Sequence, residues 1–141
     1  MDLDTLRPLL HEHRFRLTQE REIVLAAFIS AEEILTPTQL YDRVHAQHAH
    51  VGLTTVYRLL EVLTKLGLAT PFLIDGEIFY TFCPQPHHHH FVCLACHHVH
   101  DIFECAQLPH DDAWGEVTFH RLDLYGRCGS CKTTAGSDIL C

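Results

Sequence analysis

The sequence predicts an α+β chain built as two small units, and three observations predict it. The N-terminal part carries three helical patterns closed by a hairpin pattern; all seven cysteines lie in the last 59 of the 141 residues; nine of the fourteen histidines lie there too. A chain of this length makes one ordinary domain or two small ones, and small units commonly depend on metal, disulfide or oligomer support. The shift in composition puts the first unit at residues 1–82, a hinge at 83–86 and the second unit at 87–141.

Thr18 caps a first helix running from Gln19 to Phe28, with Ile23 and Ala27, then Val24 and Phe28, at four-residue spacing on one side. Thr36-Pro37-Thr38-Gln39 marks a second start: a capping threonine, proline at the first helical position and glutamine three residues on, with the helix reaching about Gln47. A third helix begins near Leu53. Its apolar stripe is Leu53, Val56, Leu59/Leu60, Leu63 and Leu66, and Gly67 ends it. Leu68 to Leu73 and Ile78 to Phe82 then read as two short strands around Asp75-Gly76, a common hairpin pair. Three helices followed by a hairpin describe a winged helix-turn-helix.

Thr54, Thr55, Tyr57, Arg58, Glu61 and Lys65 face outward on the third helix. Tyr57 and Arg58 suit phosphate and base-edge contacts in a major groove, with Thr54 and Thr55 near the entering end; the alternative is a solvated helix face. The formal charge of −8 speaks against a protein that coats nucleic acid, and residues 1–82 hold seven Arg/Lys against eleven Asp/Glu. Any DNA binding is therefore local.

No apolar run approaches the roughly 20 residues that span a bilayer. The acidic start Met1-Asp2-Leu3-Asp4 lacks the features of a secretory signal, so a cytoplasmic, reducing location is expected. In that compartment paired cysteines hold metal more often than they form disulfides. Cys93-x-x-Cys96 and Cys128-x-x-Cys131 form two knuckles that together give a four-sulfur tetrahedral site suited to structural zinc; the alternative is two separate thiol pairs. Cys105 and Cys141 are expected to stay outside the metal sites. His87-His88-His89-His90 is internal and too short for an engineered tag, and in a strand it sends His88 and His90 to one face, His87 and His89 to the other. One run can serve two sites.

Gly52-Leu53-Thr54-Thr55-Val56-Tyr57-Arg58-Leu59-Leu60 closely resembles the recognition-helix signature of the ferric-uptake-regulator (Fur) family, and Arg16-Leu17-Thr18-Gln19-Glu20-Arg21 resembles its first-helix signature. With the histidine run before the first knuckle, the resemblance covers nearly the whole chain. It implies DNA contacts from Tyr57 and Arg58, backbone support from Arg16 and Arg21, and a small α/β dimerisation domain carrying the four-cysteine zinc site. It also implies a regulatory metal site at the hinge using His88 and His90, and an additional site using His87, His89 and His120. Glu104 and His110 are both candidates for the acidic-side partner of that additional site, and Glu104 is the one carried forward.

The resemblance further implies Cys83 as a hinge ligand of the zinc-sensing (Zur) branch, where iron sensors tend to carry a carboxylate two residues earlier; here that place is Thr81. Asp101 matches an acidic ligand of several branches. Cys83, His88, His90 and Asp101 supply one sulfur, two nitrogens and one oxygen, a tetrahedral set matched to Zn2+, whereas Fe2+ or Mn2+ more often takes more N/O ligands. Two places that supply a reading-domain ligand in the family hold Ile34 and Thr70, neither a strong ligand, with Glu32, Glu33 and Asp75 as possible substitutes. His97, His98 and His100 are additions without an assigned role.

The expectation is a metal-dependent repressor of metal-uptake genes, binding a double-stranded DNA operator as a homodimer, since helix-turn-helix readers match two half-sites by symmetry. An iron, manganese or peroxide-responsive regulator is the alternative within the family. A zinc-storage or scaffold module is the alternative from another class. An enzyme is not expected: there is no His-Glu-x-x-His motif, and a closed four-ligand site leaves no place for an activated water.

Overall fold

The computed structural model describes residues 1–105, 107 and 112–132. His110 and Cys141, both weighed above, lie outside the described residues. The chain divides into two compact units, Met1–Gln85 and Pro86–Cys141.

The first unit opens with a helix the sequence reading does not include, α1 (Leu3–Glu12). Asp2 caps it, its carboxylate accepting from the Thr5 N–H at 2.9 Å. Pro8 sits inside this helix, where a proline costs about 3 kcal/mol. Leu6 and Leu10, one turn apart and fully buried, offset that cost at roughly 1.5–3 kcal/mol each. Packing, rather than propensity, makes this helix.

The three expected helices follow as α2 (Gln19–Ile29), α3 (Pro37–His45) and α4 (Leu53–Lys65). The α3 capping box is complete: Gln39 N–H donates to Thr36 Oγ1 at 3.1 Å and Thr36 N–H to Gln39 Oε1 at 2.9 Å. On α4, Val56, Leu59, Leu60 and Leu63 are buried, but Leu53 is 39% exposed. It is the first helical residue, outside the stripe to which the sequence reading assigns it. Gly67, at φ +70°, ends the helix with paired reverse bonds, Leu68 N–H to the Leu63 carbonyl at 2.8 Å and Gly67 N–H to the Thr64 carbonyl at 3.1 Å.

Strands β1 (Ala69–Ile74) and β2 (Glu77–Phe82) pair antiparallel, with Ile74 opposite Glu77. The two turn residues, Asp75 at φ +50° and Gly76 at φ +81°, take the left-handed conformation that matches the twist of a two-residue hairpin. Leu35 and Tyr80 exchange backbone hydrogen bonds of 3.0 and 2.8 Å, so the segment before α3 is tied to the hairpin. The core joins Leu6, Leu10, Val24, Phe28, Leu40 and Leu59 with their neighbours.

The second unit is built on a three-stranded sheet with β3 (His89–Cys93) between β4 (Val99–Ile102) and β5 (Asp123–Gly126). β3 runs antiparallel to β4 and parallel to β5. Among the described residues its helical content is one 3-10 turn, Asp112–Trp114. The architecture is α+β, a winged helix-turn-helix followed by a small unit bearing a cysteine cluster.

Candidate metal centres and reader helix

The end of β3 carries the first knuckle. The His97 N–H donates to the Cys93 carbonyl at 2.8 Å and the Cys93 N–H to the His98 carbonyl at 2.9 Å, closing a turn in which His97 takes φ +61°. The parallel neighbour β5 ends in the second knuckle, so the sheet itself delivers both cysteine pairs to one place. Cys93, Cys96, Cys128 and Cys131 place their sulfurs within 4.8 Å of one another. Metal–nitrogen bonds of about 2.0–2.1 Å and metal–sulfur bonds of about 2.3 Å give tetrahedral edges of roughly 3.4 Å (N···N), roughly 3.6 Å (N···S) and roughly 3.8 Å (S···S). Cys96 and Cys128 lie 3.8 Å apart, and the quartet therefore fits a zinc-class ion.

The thiol chemistry agrees. Burial pushes the Cys93 thiol up, but backbone N–H groups of Cys128, Cys96 and Ala95 outweigh it and hold the group down at about 6. The Cys128 N–H donates to Cys93 Sγ at 3.3 Å. Cys131 is pushed up to about 12, chiefly by hydrogen bonds with the Cys128 and Cys96 thiols. Four thiols this close cannot all ionise alone, and a dication is what would let them do so.

The histidine run divides by face. The His88 and His90 rings lie 4.6 Å apart, and those of His87 and His89 4.9 Å apart. On the first face, His90 stands opposite Asp101 on β4 and opposite Asp123 on β5. His90 Nδ1–H donates to Asp123 Oδ1 at 3.2 Å, which leaves Nε2 as a ligand atom. His88 Nδ1–H donates to the Pro86 carbonyl at 2.6 Å, which turns its Nε2 toward Asp101 Oδ1 at 3.5 Å. That spacing is close to a tetrahedral N···O edge, roughly 3.4 Å, and is also within the reach of an ion pair. Burial holds the His90 imidazole below its ordinary value, against the opposing pull of Asp123. Asp123 is absent from the sequence-derived candidates; its signal, an acid opening the last strand, needs the sheet register to be read.

Cys83 lies just beyond β2, buried, its N–H donating to the Leu68 carbonyl at 2.8 Å. Thr81 is buried as well, and Ile34 is fully buried in the same unit. Of the possible substitutes, Glu33 is engaged by Arg43, whose hydrogen bond lowers its pKa, and Asp75 occupies the hairpin turn.

On the second face, His87, His89, His120 and Cys105 put their ligand atoms within 4.8 Å of one another. Here the structure departs from the sequence reading. Glu104 is exposed and outside this group, and Cys105, expected to stay apart from the metal sites, stands in the place given to it. In an extended segment neighbouring residues point to opposite faces, so one step along the chain decides which side chain arrives. His89 is 1% exposed, and burial, then His87 and His120, holds its imidazole below the ordinary value. His98 and His100 lie side by side, rings 4.6 Å apart, without joining a third possible ligand among the described residues.

On the reader helix, Thr54 and Arg58 are exposed, Tyr57 is 49% exposed and Thr55 half-buried. Gly52 caps α4 without a side-chain bond, and its carbonyl accepts from the Thr55 N–H at 3.1 Å. Arg16 is exposed, and its carbonyl accepts from the Arg21 guanidinium at 2.6 Å. Arg21 also lies over the Phe15 ring at 4.1 Å, so it is held locally.

A sequence profile described as the ferric uptake regulator family matches residues 12–116. The chain belongs to the ferric uptake regulator family. Among its relatives, the ferric uptake regulation protein of Bacillus subtilis (strain 168) is 30% identical over 140 residues, covering 92% of this chain and 94% of the relative. A zinc uptake regulation protein of Mycobacterium tuberculosis (strain CDC 1551 / Oshkosh) is 26% identical over 125 residues, covering 84% of this chain and 95% of the relative. A solved zinc uptake regulator complexed with zinc and DNA shares the fold, with a TM-score of 0.67, 23% identity and 92% of each chain covered. As a ferric uptake regulator family member the chain is a metal-responsive, DNA-binding transcriptional regulator rather than an enzyme. The family's relatives carry both iron and zinc names. No described helix is long and apolar enough to cross a membrane.

Proposed function

We propose that the chain is a zinc-sensing repressor of metal-uptake genes, binding its operator as a homodimer with zinc as corepressor. The observation that carries the reading is the ligand-ready pair of His88 Nε2 and Asp101 Oδ1 at 3.5 Å beside His90. Cys83, five residues before His88 in the chain, is the thiolate we assign as the fourth donor. One sulfur, two nitrogens and one oxygen suit zinc over the higher coordination favoured by manganese or iron(II). The cysteine quartet holds a second, structural zinc.

Cys83 belongs to the reading unit and the other three ligands to the second, so a shared ion favours one arrangement of the two over others. That is the linkage a corepressor requires. A decisive switch takes about 5.5 kcal/mol of differential binding. With Ile34 buried and Thr70 a poor ligand, Cys83 carries the coupling from the reading side. Tyr57 and Arg58 would read base edges, with Thr54, Thr55, Arg16 and Arg21 at or near the phosphate backbone. A dimer is consistent with the large apolar side chains the second unit exposes, among them Phe103, Trp114, Val117, Phe119, Leu124 and Tyr125.

The test is operator binding by metal-stripped protein titrated with buffered zinc, manganese and iron(II), with bound metal counted per chain. Zinc should restore binding at the lowest free concentration, and Cys83→Ser should weaken that response. A response to iron or manganese alone overturns zinc sensing.

A further inference from the structure

We propose that Cys105, with His87, His89 and His120, forms a third metal site of three nitrogens and one sulfur that selects a thiophilic divalent cation of the zinc class over manganese and iron(II). The inference rests on the additional three-histidine site that the family resemblance implies, and goes beyond it in naming Cys105 as the fourth ligand and the selectivity that a thiolate confers.

The geometry is that of a tetrahedron. Cys105 Sγ lies 3.2 Å from His120 Nε2 and 3.8 Å from His87 Nε2, and His120 Nε2 lies 3.4 Å from His89 Nε2. Those distances bracket the edges that zinc-type bond lengths impose, roughly 3.6 Å for N···S and roughly 3.4 Å for N···N. Three imidazoles turn the same nitrogen, Nε2, toward one point. Two neutral imidazole nitrogens at 3.4 Å can share one proton, but three together with a thiol are better satisfied by an ion that accepts from all four.

The donor set decides the class of ion. A carboxylate in this place would suit zinc, iron and manganese alike, whereas a thiolate is a soft ligand that manganese and iron(II) bind less well than zinc or its spectroscopic substitute cobalt(II). The site would also close a loop. Cys105 precedes and His120 follows the connection between β4 and β5, and His87 and His89 lie on or beside β3. An ion there would pin both ends of a connection whose described residues include the exposed Trp114, Val117 and Phe119.

The test uses the full chain with its structural zinc in place, in a Cys83→Ser, Cys141→Ser background so that Cys105 is the one thiol left outside the quartet. Cobalt(II) should produce thiolate-to-cobalt charge-transfer absorption while zinc stays at one per chain. Adding Cys105→Ser should remove that absorption, and Glu104→Gln should leave it. Absence of the band before the Cys105 change, its persistence after it, or its loss in Glu104→Gln overturns the proposal. On the unsubstituted protein, alkylation of Cys105 followed by peptide mass mapping should be lost once zinc is added beyond the first equivalent; unchanged labelling overturns it as well. Neither measurement involves DNA, so this site can fail while the repressor reading stands, and operator binding can fail while the site stands.

Discussion

At the scale of single residues, Asp123 orients a candidate metal ligand, His90. Its carboxylate takes the Nδ1 proton of His90 and is itself held by Arg121, which fixes the ring's tautomer and aims Nε2 outward. Loss of such a partner weakens metal binding by about 10–100-fold. Asp123→Asn should therefore lower zinc affinity at the His88/His90/Asp101 set by that order, leaving the zinc of the cysteine quartet in place. Competition with a zinc-binding dye measures it, and an unchanged affinity would show that His90 needs no orienting acid. Nothing in the local sequence marks Asp123, because its partner lies 33 positions away and meets it through the parallel register of β3 and β5. Cys105 escapes the sequence reading for a similar reason: the sequence offers Glu104 and His110 for this place and leaves Cys105 outside the metal sites, and only the path of the chain brings the Cys105 thiol beside the histidines.

At the scale of elements, α4 is legible almost entirely. Its apolar stripe, glycine stop and outward Tyr57 and Arg58 follow from the 3.6-residue period, and the hairpin follows from Asp75-Gly76. The exception is Leu53, apolar by type but placed at the helix start where the core does not reach. Arg58→Ala should weaken operator binding by about 1–3 kcal/mol if the guanidinium reads a base edge, with relaxed preference at one position of each half-site. Fluorescence anisotropy on operator variants distinguishes this from a solvated face, for which affinity and preference would both be unmoved. α1 is not legible, since Pro8 interrupts its local pattern and only the burial of Leu6 and Leu10 reveals why it forms.

At the scale of the molecule, the two units differ in what holds them together. The first buries a continuous set of leucines, valines and phenylalanines, while the buried residues described in the second are few: Val92, Cys93, His89 and His90. With so few buried residues described, a zinc held by the cysteine quartet would supply folding energy to this unit. Chelating the structural zinc should strip hydrogen-exchange protection from β3, β4 and β5 while α2 to α4 keep theirs; equal loss across both would refute separate stabilisation. By itself the sequence determined the winged helix-turn-helix, the cysteine quartet and the two-faced histidine run, because helix period, knuckle spacing and strand alternation are all short-range rules. Tertiary structure alone decided which distant acid and which thiol lie beside the histidines, Asp123 next to His90 and Cys105 next to His87 and His120. Those choices depend on register and chain direction, and a change of one residue in either exchanges the side chain that arrives.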